Sequence, residues 1–420
     1  MNKRSSIVSS RKSAKMSART AAPAGAWRSR VTSKLVTVKA LMLGAPVARA
    51  GSVWWVEGRP AEGGRQAIVR DGVDVVGAPW NARTRVHEYG GGELLVSADG
   101  ASCWFSSFAD QRLYRMRHDD AEPTAVTADS GGAARFADGA LDEARRLIFC
   151  VREDHSAGAS GGGAVNEIVA VGAESGDVSV VASGEDFYAA PRVSPCGTKL
   201  AYISWRFPNM PWDDTTLWVQ LLDADGGAAG AAIKVAGGDG ADVAVLQPLW
   251  SPGAGADGAG SELFFCSDES DFWAIHRAAE PLGSGSAPVV QAPMQREFAA
   301  PLWRLGQRSY QFTSSGLILA KSSAPEEAGS ELSLICPTTG AIQAVPTPFG
   351  GISSDISLDA ESGVLAFVGA SAASPSELVS CAGFSPKSFL NVGESIGEKE
   401  RFEVLHACPC CEYPQAYPSC

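Results

Sequence analysis

The chain has 420 residues, of which 45% are hydrophobic and 20% charged, a composition that can bury a core and excludes disorder throughout. Its net charge of −12 is unevenly spread, because residues 1–56 hold eleven Lys and Arg and no Asp or Glu, leaving the body that follows strongly acidic. Phosphate contacts need clustered positive charge, so neither nucleic acid nor a membrane surface is expected as a partner, and no run approaches the roughly 18 apolar residues that a span requires.

Taken in order, residues 1–24 are rich in Ser, Ala, Arg and Lys and free of acids. That is the composition of a transit peptide or of a basic disordered extension, so the expected location is cytoplasmic or, with a transit peptide, mitochondrial or plastid. A secretory leader over Val36–Ala50 is disfavoured because Lys39 interrupts its apolar stretch. Residues 25–44 read as a linker. From 45 to about 390, apolar runs rich in Val, Ile, Tyr, Trp and Thr alternate with Gly, Pro and Asp clusters, the signature of strands and hairpins. The plainest example is Tyr188–Val219. It has an extended segment ending at Pro191–Pro195, a turn at Cys196-Gly197, an alternating strand from Lys199 to Trp205, a loop over Phe207–Asp214 and a second strand from Thr215 to Leu222.

The same punctuation recurs. Pro191-Arg192-Val193-Ser194-Pro195 is answered by Pro248-Leu249-Trp250-Ser251-Pro252 and then by Pro301-Leu302-Trp303, at steps of 57 and 53 residues. Val53–Arg70, Glu93–Tyr114, Arg135–Asp154 and Ser354–Ser371 extend the series to seven units, the last (about 352–390) decaying at its outer strands. Four short strands per unit of about fifty residues is the blade of a β-propeller, whose two apolar faces only radial packing can bury. The expected fold is therefore all-β, a seven-bladed propeller of four-stranded blades over residues 45–390, followed by an irregular Cys-rich tail over 391–420. Cys103, Cys150, Cys196, Cys266, Cys336 and Cys381 lie far apart and read as small buried hydrophobes rather than a disulfide framework.

Within this frame Asn81-Ala82-Arg83-Thr84-Arg85-Val86-His87-Glu88-Tyr89-Gly90-Gly91-Gly92 resembles a motif of the prolyl oligopeptidase family of serine peptidases, in its acylaminoacyl peptidase and dipeptidyl aminopeptidase branch. Trp55–Pro60, Arg152–His155 with Val165–Ile168, Trp205–Trp218, Ser267-Asp268 with Phe272-Trp273, and Glu297-Phe298 with Pro301–Trp303 follow the same branch in order. In that family a seven-bladed propeller stands over an α/β-hydrolase domain and restricts access to a Ser-Asp-His triad. The resemblance implies a peptide substrate or a hydrolase domain as partner, and no cofactor. A hydrolase domain needs about 200 residues of alternating strand and helix, whereas position 380 stands near the end of the 420 residues. The resemblance thus covers the propeller portion, the family's triad has no positions here, and the expectation is a peptidase propeller truncated before its catalytic domain and inactive alone. The alternative is a stand-alone propeller that binds peptides or proteins.

Candidate chemistry is sparse. Gly158-Ala159-Ser160-Gly161-Gly162 matches Gly-x-Ser-x-Gly, but it lies between two strands with no helix after it, so it reads as a chance match and no catalytic residue is assigned. Arg83, Arg85, His87, Glu88 and Tyr89 are the candidate channel or gating residues, with local charge pairing around a glycine-permitted backbone path as the structural alternative. Asp213-Asp214, Asp268-Glu269-Asp271 and Glu326-Glu327 read as solvated turns, and His118, His155 and His276 as loop or strand-end residues. His406 with Cys408, Cys410, Cys411 and Cys420 forms one crowded cluster with no second ligand pair, so no metal is expected.

Overall fold

A computed structural model describes residues 41–156, 163–238, 240–253, 258, 260–290, 295–325, 329–372, 374–384, 386 and 402–406, with Pro23 and Ala26. The chain divides into two compact units, 1–39 and 40–420. Of the first, only Pro23 and Ala26 are described, and Ala26 N donates to Pro23 O at 3.0 Å.

The second unit is seven antiparallel sheets in chain order. In the first blade β1 (Met42–Leu43) and β2 (Val47–Arg49) share the inner position and both pair β3 (Ser52–Arg59), followed by β4 (Arg65–Arg70) and β5 (Val73–Asp74). The second holds β6 (Leu94–Val96), β7 (Ser102–Ser106), β8 (Leu113–Arg117) and β9 (Thr124–Ala125). The third holds β10 (Ala134–Asp142), β11 (Leu147–Asp154), β12 (Val165–Gly172) and β13 (Val178–Ala182). The fourth, the repeat clearest in the sequence, holds β14 (Phe187–Val193), β15 (Lys199–Trp205), β16 (Thr216–Leu221) and β17 (Ile233–Gly237). The fifth holds β18 (Val245–Trp250), β19 (Leu263–Ser267), β20 (Ala274–Ala278) and β21 (Ser286–Pro288). The sixth holds β22 (Tyr310–Phe312), β23 (Ile318–Ser322), β24 (Glu331–Ile335) and β25 (Ile342–Val345). The seventh holds β26 (Gly351–Asp359), β27 (Val364–Ala370), β28 (Glu377–Cys381) and β29 (Phe402–His406).

Three expectations change. The seventh blade does not fade before residue 390, because Phe402–His406 returns as its outer strand and pairs β28. The β15 run Leu200–Trp205 is also not an in-and-out strand, since all six residues are buried. Both faces of a blade pack on neighbouring blades, so side chains on either side of the sheet leave water. The run Ile148–Val151 shows the same, and each fully buried Ile, Phe or Val there contributes roughly 1.5–3 kcal/mol. Cys103, Cys150, Cys266 and Cys381 are buried within this packing, while Cys196 and Cys336 are half-buried. His276, expected at a strand end, is instead buried inside β20.

The ring closes without a shared blade: every described strand of the first sheet comes from 42–74 and every one of the seventh from 351–406. Side-chain packing joins them. Trp55, Ala67 and Val69 of the first blade share one apolar cluster with Val364, Ala366 and Leu378 of the seventh. Ala48 N donates to Ser357 Oγ at 2.8 Å across the same seam.

Candidate functional site

Inner strands carry a recurring irregularity that shapes the axis. β10, β14, β18 and β26 each shift register midway along their length. In three of them the shift holds a non-glycine residue in the left-handed region: Asp138 (φ 54°), Ala190 (φ 53°) and Gln247 (φ 55°). Such bulges re-aim side chains, here at the ring's centre. Around that centre lies a cavity of about 820 Å³, lined from all seven blades by residues that include Arg49, Leu95, Gly139, Arg192, Gln247, Arg308 and Leu358. A second space of about 280 Å³ shares Gly139, Gln307 and Arg308 with it. The two adjoin near the ring's axis, and Gln307 and Arg308, which line both, mark the waist between them.

Two long connections meet across the channel next to the smaller compartment. The first joins β5 to β6 and contains the motif singled out in the sequence. Its start is tied to the second blade, Arg83 N donating to Ser106 O at 2.9 Å and Arg85 N to Gln111 Oε1 at 2.8 Å. The Arg83 and Arg85 guanidiniums stand over the Phe108 ring, 5.0 and 5.6 Å from its centre. A turn then places His87 (φ 52°) and Glu88 (φ 64°) consecutively in the left-handed region, a conformation that costs on the order of 1–3 kcal/mol per residue. The third and fourth blades offset that cost. His87 N donates to Glu153 Oε2 at 2.7 Å, and its Nε2 lies 3.2 Å from Asn166 Oδ1. The His87 ring stands edge-on to Phe187 and Trp205, and burial there holds its pKa below the usual histidine value. Arg135 Nη1 is the hub, donating to Arg85 O (3.0 Å), Glu88 Oε1 (2.8 Å) and Glu153 Oε1 (2.9 Å). Its bond holds Glu88 below the ordinary carboxylate range.

The glycines then carry the chain to the far side of the ring. Leu305 N, in the connection between β21 and β22, donates to Gly90 O at 2.9 Å. A Cβ on Gly91 (φ +101°) would lie 2.3 Å from Leu305 O, and one on Gly92 (φ +61°) 2.8 Å from Asp138 Cα. Only glycine fits so close a backbone crossing at positive φ. The second and sixth blades stand on opposite sides of a seven-membered ring, so the motif is a strap over the axis. On its outer surface Tyr89 (64% exposed) meets Trp303 (54% exposed) edge-on at 5.8 Å, and Trp303 lies 4.4 Å from Trp212. Phe207 and Met210, also exposed, belong to the same loop as Trp212.

The five residues singled out therefore share one strap, yet none lines either compartment; Gly91, Gly92 and Glu93 do. Glu93 is buried, its nearest cationic group being Arg304 at 3.7 Å, and burial pushes its pKa up. The axial residues Arg49, Arg192, Gln247 and Arg308 escaped the sequence reading because they come from four blades and share no motif. Among the other residues considered, Glu153 accepts from His155 Nε2, and Asp268 Oδ1 accepts from Ala244 N at 2.7 Å. Ser160, Glu326, Glu327, Cys408, Cys410, Cys411 and Cys420 lie outside the described residues, as does the His406 side chain. No group of three or more His, Cys, Asp or Glu that could hold a metal ion occurs among the described residues.

No protein-family model matches the chain, and no curated protein matches it in sequence. Solved structures do. A puromycin-hydrolysing peptidase of Mycobacterium tuberculosis is 29% identical with a TM-score of 0.78, the match covering 93% of this chain and 57% of that one. A puromycin hydrolase is 28% identical, TM-score 0.74, covering 86% and 55% respectively. Prolyl oligopeptidase B from Galerina marginata, at 12% identity and TM-score 0.56, covers 88% and 51% and shares the fold. The chain thus spans a little over half the length of the two puromycin-hydrolysing enzymes. Seven blades in this order, the motif series along them and these likenesses make the chain similar to the propeller portion of prolyl-oligopeptidase-family peptidases.

Proposed function

We propose that this propeller restricts access to the catalytic domain of a serine peptidase acting on peptides, of the acylaminoacyl or dipeptidyl aminopeptidase type. The supporting observation is the axial channel, whose 820 Å³ compartment takes a short extended peptide and not a folded protein, and over one side of which two connections meet. The strap of Arg83, Arg85, His87, Glu88 and Tyr89 acts as the gate. Likeness to puromycin-hydrolysing peptidases favours aminoacyl amides and short peptides as the substrate class. The aromatic surface of Tyr89, Trp303, Phe207 and Met210 suits the face on which a hydrolase domain rests. That same surface also favours a second reading, a scaffold that binds peptides or proteins without catalysis.

A fluorophosphonate serine probe separates the two. The 420-residue chain is expected to stay unlabelled. A polypeptide extended by the sequence encoded downstream of codon 380, in whichever frame carries a Gly-x-Ser-x-Gly, is expected to be labelled and to cleave short peptides while sparing folded proteins. An extended product without a reactive serine would overturn the first reading and leave the scaffold, whereas labelling of the 420-residue chain that disappears in Ser160→Ala would overturn both.

A further inference from the structure

Four blades bring hydrogen-bond donors to the channel waist, and the acceptors there are already engaged. Arg49 ends β2, Arg192 lies in β14, Gln247 in β18 and Arg308 just before β22, and all four line the larger compartment. Arg192 Nη1 donates to Asp138 Oδ1 at 3.0 Å and to Pro191 O at 2.7 Å. The other Asp138 oxygen accepts from Ala190 N, and Asp355 Oδ1 accepts from the backbone N of Arg308. Farther along the compartment, Asp142 pairs with Arg145 and Glu143 accepts from Ala98 N. Among the described residues, no side-chain acceptor lies within hydrogen-bond reach of the Arg308 guanidinium. Arg49 Nε has no acceptor either. Gln247, only 7% exposed, spends its Oε1 on Ser309 N and Oγ and leaves its Nε2 without a partner.

Three partly buried guanidiniums therefore face two carboxylates at the waist. Burial, then the nearby Arg192 and Arg49, pull the Arg308 pKa down to about 10, against the opposing pull of Asp138 and Asp355. Three partly buried cations against two anions leave one positive charge unbalanced, which is costly away from bulk water. Gln247, moreover, holds its orphan donor there at a backbone conformation that L-residues seldom adopt. A planar guanidinium matches carboxylate and phosphate oxygens with two parallel bonds.

We propose that the waist of the central channel is a binding site for an oxyanion, a carboxylate or phosphate group, held by Arg308 and Arg49 with Gln247 Nε2 as a neutral donor. The site stands independently of the peptidase reading, since an inert scaffold with the same channel would bind the same group.

The test is thermal unfolding of the 420-residue chain, with inorganic phosphate replacing chloride at constant ionic strength. A saturable rise in Tm is expected for the parent chain and for Arg146→Gln, a control at a solvated arginine, and its loss is expected in both Arg308→Gln and Arg49→Gln. In chloride alone Arg308→Gln should unfold no lower than the parent, because the substitution relieves repulsion. Should that variant fail to fold, Arg49→Gln carries the same test. A Tm that responds to phosphate no more than to chloride, or a rise undiminished in both waist variants, would overturn the site. A second arm titrates a short peptide ending in a free carboxylate, and its C-terminal amide, against bound phosphate. Displacement by the acid alone assigns the ligand to a peptide terminus, and displacement by neither assigns it to a free oxyanion; both results uphold the site.

Discussion

At the scale of single residues, Gly91 and His87 show how the strap is specified. Gly91 has a positive φ and a backbone oxygen where a Cβ would stand. Gly91→Ala should therefore destabilise the fold by about 1–3 kcal/mol or more, read as a lowered denaturation midpoint at unchanged m-value. An unchanged midpoint would mean that the crossing adapts freely. His87 has a definite sign of pH dependence. Its folded pKa is depressed by burial, so the unfolded chain binds the proton more tightly. The stability it contributes is complete above the unfolded value of about 6.5 and is lost as pH falls through it. His87→Gln should flatten the decline in stability between roughly pH 7 and 5, measured beside His276→Gln, because His276 is depressed in the same direction.

At the scale of elements, Arg135 ties the strap to the third blade. Glu153 is buried, so Arg135→Met takes away its arginine counter-charge and leaves it only the His87 N and His155 Nε2 donors, which should cost on the order of 3 kcal/mol. Glu88 is 73% exposed on its side chain, and Glu88→Gln removes a screened pair that contributes about 1 kcal/mol or less. Hydrogen exchange over residues 83–92 should accelerate markedly in the first variant and slightly in the second. Equal protection in both would show that the Leu305 crossing alone holds the strap. The sequence made this element visible as a motif and as a glycine-permitted path. It did not say where the path led, because Leu305 is more than 200 residues away and no local pattern encodes an encounter across a ring.

At the scale of the whole molecule, closure of the ring depends on the seam between the first and seventh blades, where apolar packing and a few hydrogen bonds replace strand exchange. Trp55 is fully buried at that seam, so Trp55→Ala should cost about 3–5 kcal/mol. Limited proteolysis should then cut in the first and seventh blades before the middle ones. Uniform cleavage around the ring would show that closure is not the weak point. The fifty-residue repeat, with its Pro and Gly punctuation, determined the number of blades and the limits of β15 without any tertiary information, because strand and turn propensities are local. Burial on both faces of β15 was less legible, since alternation in sequence cannot tell a solvated face from one covered by the next blade.

What the sequence determined by itself was the repeat, hence the propeller, and a likeness to one peptidase family through motifs long enough to be specific. Only the tertiary structure showed that the connection from Arg83 to Tyr89 is tied to the second and third blades and runs on through Gly90 to Leu305. It also placed the last strand at Phe402–His406 and gathered Arg49, Arg192, Gln247 and Arg308 at the waist. The physical reason is the same in each case: these relations lie between blades, and radial packing brings together residues that have no period, spacing or propensity in common.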